Sequence, residues 1–290
     1  VGLAYFRNFQ KPYLHTLDID PDTIGALTLI LQLPFVLKIF IGMLSDRVSL
    51  FGRGHRRPYI VLGVTLAALA FGGATFAAPN ERFLLFAALV TLGSFAVTLF
   101  DSATDGLAID ITPHAEQARV QSVMVGGRAA AFVLLSLLFG ALVQRFDYRI
   151  VFPIIGAGML LPLIWVLRLP EPPQRAEDRT FEWAAFRGLG RPRFLLFAAY
   201  ALIYSVGSFG VDGLVTYFMS EHFHAAETAI GQYGALRGIG AVVGALIGGV
   251  LIERVGRRGS AYGVVALVSL AAVGFGAATS APMVIWLGVL

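Results

Sequence analysis

Residues 42–47 read Gly42-Met43-Leu44-Ser45-Asp46-Arg47 and close an apolar run that opens at Thr23-Ile24-Gly25. Far along the chain, Gly249-Val250-Leu251-Ile252-Glu253-Arg254 closes a second apolar run, which opens at Thr228-Ala229-Ile230-Gly231. The offset is 206 residues at the start (Ile24 to Ile230) and 207 at the end (Asp46 to Glu253). Each run ends in an acid–arginine pair, and a basic turn follows with Arg56-Arg57 or Arg257-Arg258. Self-similarity at a fixed offset marks a repeated architecture. It divides the chain into related halves, 1–168 and 193–290, joined by a charged linker at 169–192.

Composition identifies the solvent as lipid. Of 290 residues 57% are apolar and 14% charged, where a soluble domain carries about 25% charged residues. Mean hydropathy is +0.75. The chain has no cysteine, which excludes a disulfide framework, a thiolate metal site and a Cys nucleophile. Five scattered histidines, His15, His55, His114, His222 and His224, leave little for zinc. A net charge of +4 does not point to nucleic acid, because the charges sit in short loops between apolar runs. A membrane-crossing helix needs about 20 apolar residues. Eight runs qualify: 22–45, 58–79, 83–110, 116–143, 149–168, 193–219, 227–252 and 260–280. Residues 1–16 and 281–290 read as parts of two more, without a signal peptide. The expectation is an all-α polytopic protein, here the middle of a longer chain and incomplete at both ends. The strands of a transmembrane barrel would instead alternate in polarity over about 10 residues.

Lys and Arg set the orientation. One side carries Arg47, Arg53, Arg56, Arg57, Arg119, Arg168, Arg175, Arg179, Arg187, Arg191, Arg193, Arg254, Arg257 and Arg258, which is 14, against 4 (Lys11, Arg82, Arg145, Arg149) on the other. The basic side and linker are expected in the cytoplasm, with the protein in a plasma (bacterial inner) membrane. Both repeat copies end on that side, so the halves are parallel repeats about an axis along the membrane normal.

Arg7, Lys38, Asp101, Asp105, Arg128, Asp212 and Arg237 fall inside spans. A charge at mid-bilayer costs about 3 kcal/mol or more, so such residues need partners or water. At about 1.5 Å per residue, Asp101 and Arg128 lie at similar depth on successive antiparallel helices, and Asp105 matches Lys38. Asp101 and Asp105 share a helix face. These four read either as fixed ion pairs or as a proton or cation relay, in which burial and a like-charged neighbour raise the pKa of one carboxyl. Arg7, Asn8, Asp212 and Arg237 lie nearer the opposite side and are the substrate-binding candidates. Four buried cations against three acids favour an anionic solute.

Gly-x-Leu-Ser-Asp-Arg with its basic turn resembles the signature loop of the major facilitator superfamily, and GGVLIERVGRR (248–258) resembles its degenerate second copy. The longer form of the first loop, DRVSLFGRGHRRPY (46–59), is similar to that of muropeptide permeases, folate–biopterin transporters and glycoside–cation symporters. The Asp101-x3-Asp105-x4-Asp110 spacing is similar to the muropeptide-permease branch, although Phe100 stands where that branch usually has Gln. The resemblance implies two six-helix bundles and secondary active, proton-coupled symport of a small polar or anionic solute by alternating access. It also implies a breakable charge latch between the halves, formed by Gly42, Asp46, Arg47, Arg56, Arg57, Glu253 and Arg254. The alternative is a pigment-handling assembly factor for light-harvesting complexes, whose group DGLAIDITPHAEQARVQSVM (105–124) also resembles. The buried charge set argues against it.

No enzyme activity and no cofactor are expected, since nothing resembles a nucleophile–base pair, a metal site or a phosphate loop. The partners implied are the bilayer, protons and a small solute, with no nucleic acid. The Gly234/Gly238 and Gly240/Gly244/Gly248 spacings predict close helix packing, and Pro34, Pro153 and Pro162 predict kinks. FEWAAFRGL (181–189) reads as a short interfacial helix, and His222 and His224 as solvated. In a chain without cysteine, Gln117→Cys should react with an impermeant maleimide from the cytoplasmic side only, and Asn80→Cys from the outer side only. The reverse pattern would invert the topology.

Overall fold

The structure is a computed structural model describing residues 2–50, 54–169 and 191–289. The described residues form helices without a strand. Helix α1 (2–15) runs Gly2–Ala4, a π-helical Tyr5–Phe9 and Gln10–His15. α2 (21–47) consists of Pro21–Val36 and Lys38–Arg47, α3 is Arg57–Ala74, α4 is Pro79–Ile111 and α5 is Gln117–Arg145. α6 (148–166) consists of the turn Tyr148–Ile150, Val151–Leu160 and Leu163–Val166. α7 is Pro192–His222, and Glu227–Gly276 divides at Gly256 into α8 (227–255) and α9 (257–276). α10 is Ala281–Leu287. Five of these helices are long and apolar enough to cross a membrane among the described residues. The linker residues 170–190, with the expected interfacial helix, lie outside the described residues.

Local chemistry accounts for several boundaries. α2 starts where the Asp20 side chain accepts from Asp22 N at 3.1 Å and Thr23 N at 3.3 Å, with Pro21 in the first turn; that is an N-cap followed by a pre-set φ. The kink expected at Pro34 is realised one turn later at Leu37, and the one at Pro162 separates the two segments of α6. Pro153 sits in the first turn of Val151–Leu160, where its missing N–H costs nothing, and the helix continues unbroken to Leu160. The basic turns of the two repeats share a device. Gly54 (φ 110°) precedes Arg56-Arg57, and Gly256 (φ 77°) precedes Arg257-Arg258. A left-handed backbone reverses the chain there, which glycine allows without strain.

In the first half α3 packs between α4 and α6, and α2 lies on α4. Backbones approach closely where side chains are absent. A Cβ on Gly63 would come to 2.8 Å of Phe100, and one on Gly156 to 2.9 Å of the Ala68 carbonyl. The largest core gathers Tyr5, Phe9, Tyr13, Phe71, Phe86, Phe139 and Phe152 towards the arginine-poor end. A smaller one around Ile41, Tyr59, Ile60 and Leu107 lies at the basic end. In the second half Val215, Met219, Tyr233 and Val284 form a core of their own.

The halves meet chiefly through α5 and α8. Ile230 of α8 is fully buried in the core of the first half. A Cβ on Gly231 would come to 2.5 Å of the Ser136 carbonyl and 3.1 Å of the Gly140 Cα, and one on Gly238 to 2.6 Å of Val133. On α1 and α7, His15 Nε2 lies 3.9 Å from Glu221 Oε2 and its ring meets Tyr217 edge-on at 5.0 Å. All these contacts lie in the helix halves nearest the arginine-poor end. Nearer the basic end, Val123 and Val125 of α5 and Val242, Val243 and Ile247 of α8 are exposed. Gly126, Gly127 and Gly244 face open space. Of the expected close packings, the Gly234/Gly238 pair meets α5 and Gly240 meets the Val289 backbone. Gly244 does not pack, because the helices have diverged at its level; Gly248 is outside the residues whose surroundings are described. His222 is exposed but stacks on Phe218 at 5.0 Å rather than standing free in solvent.

Overpacking costs about 1–3 kcal/mol. Gly231→Ala should therefore lower the melting temperature in detergent by several degrees, whereas Gly127→Ala should leave it unchanged or raise it. Equal effects would contradict the tight seam.

Candidate functional site

The break in α2 places Lys38 at the start of its second segment, facing α4. Lys38 Nζ lies 2.6 Å from Asp101 Oδ2 and 3.0 Å from Asp105 Oδ2. From α5, Arg128 Nη2 reaches Asp101 Oδ1 at 3.2 Å and Asp105 Oδ1 at 3.6 Å. The depth match anticipated Asp101 with Arg128 and Asp105 with Lys38. In the structure each acid touches both cations, and the shortest contact is Lys38–Asp101. The reason is the one-turn spacing on α4, which presents both carboxylates to the gap between α2 and α5. The cluster is neutral, and its members are partly open: the side chain of Asp101 is 23% exposed and that of Arg128 is 52% exposed. A half-exposed guanidinium well inside a span must meet water, since lipid would leave it unsolvated.

A second ion pair lies at the basic end. Arg56, from the turn before α3, donates through Nε to Asp110 Oδ2 at 3.0 Å and through Nη1 to Ser45 Oγ at 2.8 Å. Both charged side chains are almost fully buried, 6% and 12% exposed. Gly106 supplies the room, since a Cβ there would overlap the Arg56 guanidinium. Ser45 Oγ in turn donates to the Gly42 carbonyl at 2.9 Å. Arg57 donates to the Leu167 carbonyl at 2.8 Å, tying the turn to the end of α6. Arg56 and Arg57, read as latch residues, are thus engaged within the first bundle. The side chains of Asp46, Arg47, Glu253 and Arg254 lie outside the described residues. Asp110, Ser45 and Gly106 had no role in the sequence reading. Their signals were the extension of the aspartate spacing to Asp110 and the place of Ser45 within the signature loop.

A third group lies on the seam. The π-helical segment of α1 carries Arg7 and the fully buried Asn8. Asn8 Nδ2 donates to Ser136 Oγ of α5 at 2.9 Å, and its amide fills the space a Cβ on Gly234 of α8 would need. One turn on, the Arg237 guanidinium lies 5.0 Å from the Phe132 ring centroid and 5.9 Å from that of Tyr233, within cation–π range. Phe132 also lines a cavity of about 120 Å³ with Leu3, Ala4, Arg128, Ala131 and Leu135. The structure thus places Asn8 and Arg237 on successive turns along the seam, with Phe132 against Arg237 and lining the same cavity as Arg128. The Asp212 side chain, assigned to the same group, is outside the described residues. Phe132 and Ser136 were missed, because one Phe or Ser in an apolar helix carries no signal until its spatial neighbours are known.

Residues 4–290 match the family model of the Major Facilitator Superfamily. The chain belongs to this superfamily. It is similar to the probable chloroplastic folate-biopterin transporter 8 of Arabidopsis thaliana, 32% identical over 173 residues that cover 56% of this chain and 32% of that protein. It is also similar to the folate-biopterin transporter of Synechocystis sp., 28% identical over 59% of this chain and 36% of that protein. The cis,cis-muconate transport protein of Acinetobacter baylyi is 22% identical over 88% of this chain and 62% of that protein. The chain spans about a third of the length of the folate–biopterin relatives. Among solved structures, a bacterial homolog of the human lysosomal transporter Spinster, inward-facing and unoccupied, superposes with a TM-score of 0.67 at 22% identity. That match covers 99% of this chain and 69% of that one. The all-α major facilitator fold, the polytopic membrane class and the likeness to folate–biopterin transporters agree with the sequence reading. The named relatives are transporters, not enzymes.

Removing one partner of a buried ion pair costs about 3–5 kcal/mol. Asp110→Asn and Arg56→Gln should each lower the melting temperature in detergent by more than 5 °C, and the double variant should recover part of the loss. Strictly additive losses would mean that the two side chains act independently.

Proposed function

We propose that this superfamily member is a secondary active transporter that carries a small polar or anionic solute across the plasma (bacterial inner) membrane, coupled to protons. Bundles 1–168 and 193–290, joined by a cytoplasmic linker at 169–192, rock about the seam in alternating access. The observation that carries the reading is the neutral, partly exposed cluster Lys38–Asp101–Asp105–Arg128 beside the cavity at Phe132. Its charge balance couples proton and solute. Two cations against two carboxylates leave nothing for an anion. A proton on Asp101 or Asp105 releases one positive charge, and Arg128, the most exposed member, is placed to offer it to the solute. Losing the proton restores the internal pairs and expels the anion.

Arg237, with Arg7, Asn8 and Asp212, supplies the substrate side towards the arginine-poor end. Folate and muconate, named for relatives, are both carboxylates, which suits a site built on arginine. The seam, tight at the arginine-poor end, corresponds to a state open to the cytoplasm. In the opposite state Gly42, Asp46, Arg47, Glu253 and Arg254 close the basic end.

The test is uptake into proteoliposomes of labelled folate, a pterin and muconate, with and without a pH gradient. Gradient-driven accumulation of one of them is expected. Asp101→Asn should lower it at least tenfold while solute exchange without net proton movement survives. Accumulation indifferent to the gradient and to Asp101→Asn would sink the coupling scheme. No uptake of any anion would sink the substrate class.

A further inference from the structure

The first turn of α8 carries a carboxyl that none of these groups uses. Glu227 stands on the seam: a Cβ on Gly140 of α5 would lie 2.8 Å from its carbonyl oxygen. Its carboxyl faces the Tyr148 hydroxyl at the start of α6. Tyr148 is buried and stacks on Tyr13 of α1 at 4.9 Å. Glu227 Oε2 and the Tyr148 hydroxyl are both sealed from water, and neither makes a well-formed hydrogen bond.

Burial and the Tyr148 hydroxyl are what acts on the carboxyl. Arg149, in the turn that begins α6, is held by the Tyr13 hydroxyl and lies 4.0 Å from Asp147, and both charged side chains are about half exposed. Arg145 at the end of α5 turns over the Phe146 ring at 5.6 Å. α1 contributes Tyr5 and Tyr13, which are neutral, Lys11, which has an interaction of its own, and His15, which faces Glu221 of α7. A helix start favours negative charge, but that does not replace the hydration a carboxylate loses on burial. As the acid, the group needs no counter-ion and can donate to Tyr148. Opening the seam would return it to water, where the carboxylate is the comfortable form.

We propose that Glu227 is a proton-binding site on the outer seam, separate from the Asp101–Asp105 cluster, whose acid form holds the halves together at the arginine-poor end. The inference rests on the alternating-access reading. The closed seam binds the proton more tightly than the open one, so lowering the pH favours closure, by at most about tenfold per pH unit for one proton.

The experiment labels Thr228→Cys, beside Glu227 on the seam, with an impermeant maleimide from the arginine-poor side between pH 5 and 8. Rates are normalised to the exposed Asn80→Cys, which cancels thiol chemistry. The normalised rate should fall at least fivefold on acidification. Glu227→Gln should be slow at every pH, and Glu227→Asp should keep the pH dependence. A flat profile without either substitution, a wild-type profile in Glu227→Gln, or a flat profile in Glu227→Asp would overturn the proposal. Labelling needs no solute, so the two readings separate. Acid-driven closure without uptake would leave the seam site standing and reject the transporter, and uptake with flat labelling would reject the seam site alone.

Discussion

A charge placed in hydrocarbon must be met by an opposite charge or by water, and that constraint organises the first bundle. Asp101 and Asp105 stand one turn apart on α4, and two cations must come to them from different helices. α2 breaks at Leu37 and resumes at Lys38, which presents the ammonium to both acids. α5 runs antiparallel and brings Arg128 to the same level. The cluster therefore fixes α2, α4 and α5 relative to one another. Because half of the Arg128 side chain is exposed, it also requires an aqueous space beside them.

That space exists because the seam between the halves is uneven. Towards the arginine-poor end Gly140 and Gly231 let α5 and α8 approach to backbone contact, Gly234 makes room for the Asn8 side chain of α1, and aromatic residues close the core around them. Towards the basic end Gly126, Gly127 and Gly244 are equally small but face nothing. Small residues permit close packing without compelling it. Whether a glycine pair meets is decided by the course of the whole helix.

Much of the site was legible in the sequence, and for one reason: intramembrane charges are too costly to be incidental. Their depths follow from helical rise alone, so spacing along the chain is enough to group Lys38, Asp101, Asp105 and Arg128. It is not enough to pair them, because depth fixes position along a helix axis and leaves the rotation of each helix about that axis free. The Arg56–Asp110 pair was half legible. Arg56 read as one more positive-inside residue, and nothing in a row of loop arginines tells which one turns inward onto a glycine. Glu227 and Tyr148 were not legible at all, since each sits unremarkably near a helix end, and only the seam brings them face to face.

The sequence by itself determined the solvent, the helices, the duplication and the sidedness of charge, because each depends on composition or on spacing along the chain. Hydrophobic length sets a span, and a repeat offset sets an architecture. The tertiary structure alone decided which end of the seam is closed, which carboxylate meets which cation, and that Phe132 lies against Arg237 and lines the same cavity as Arg128. Those outcomes depend on the relative rotation and tilt of helices. Many weak packing contacts between residues distant in the chain set that geometry together, and no local pattern encodes it.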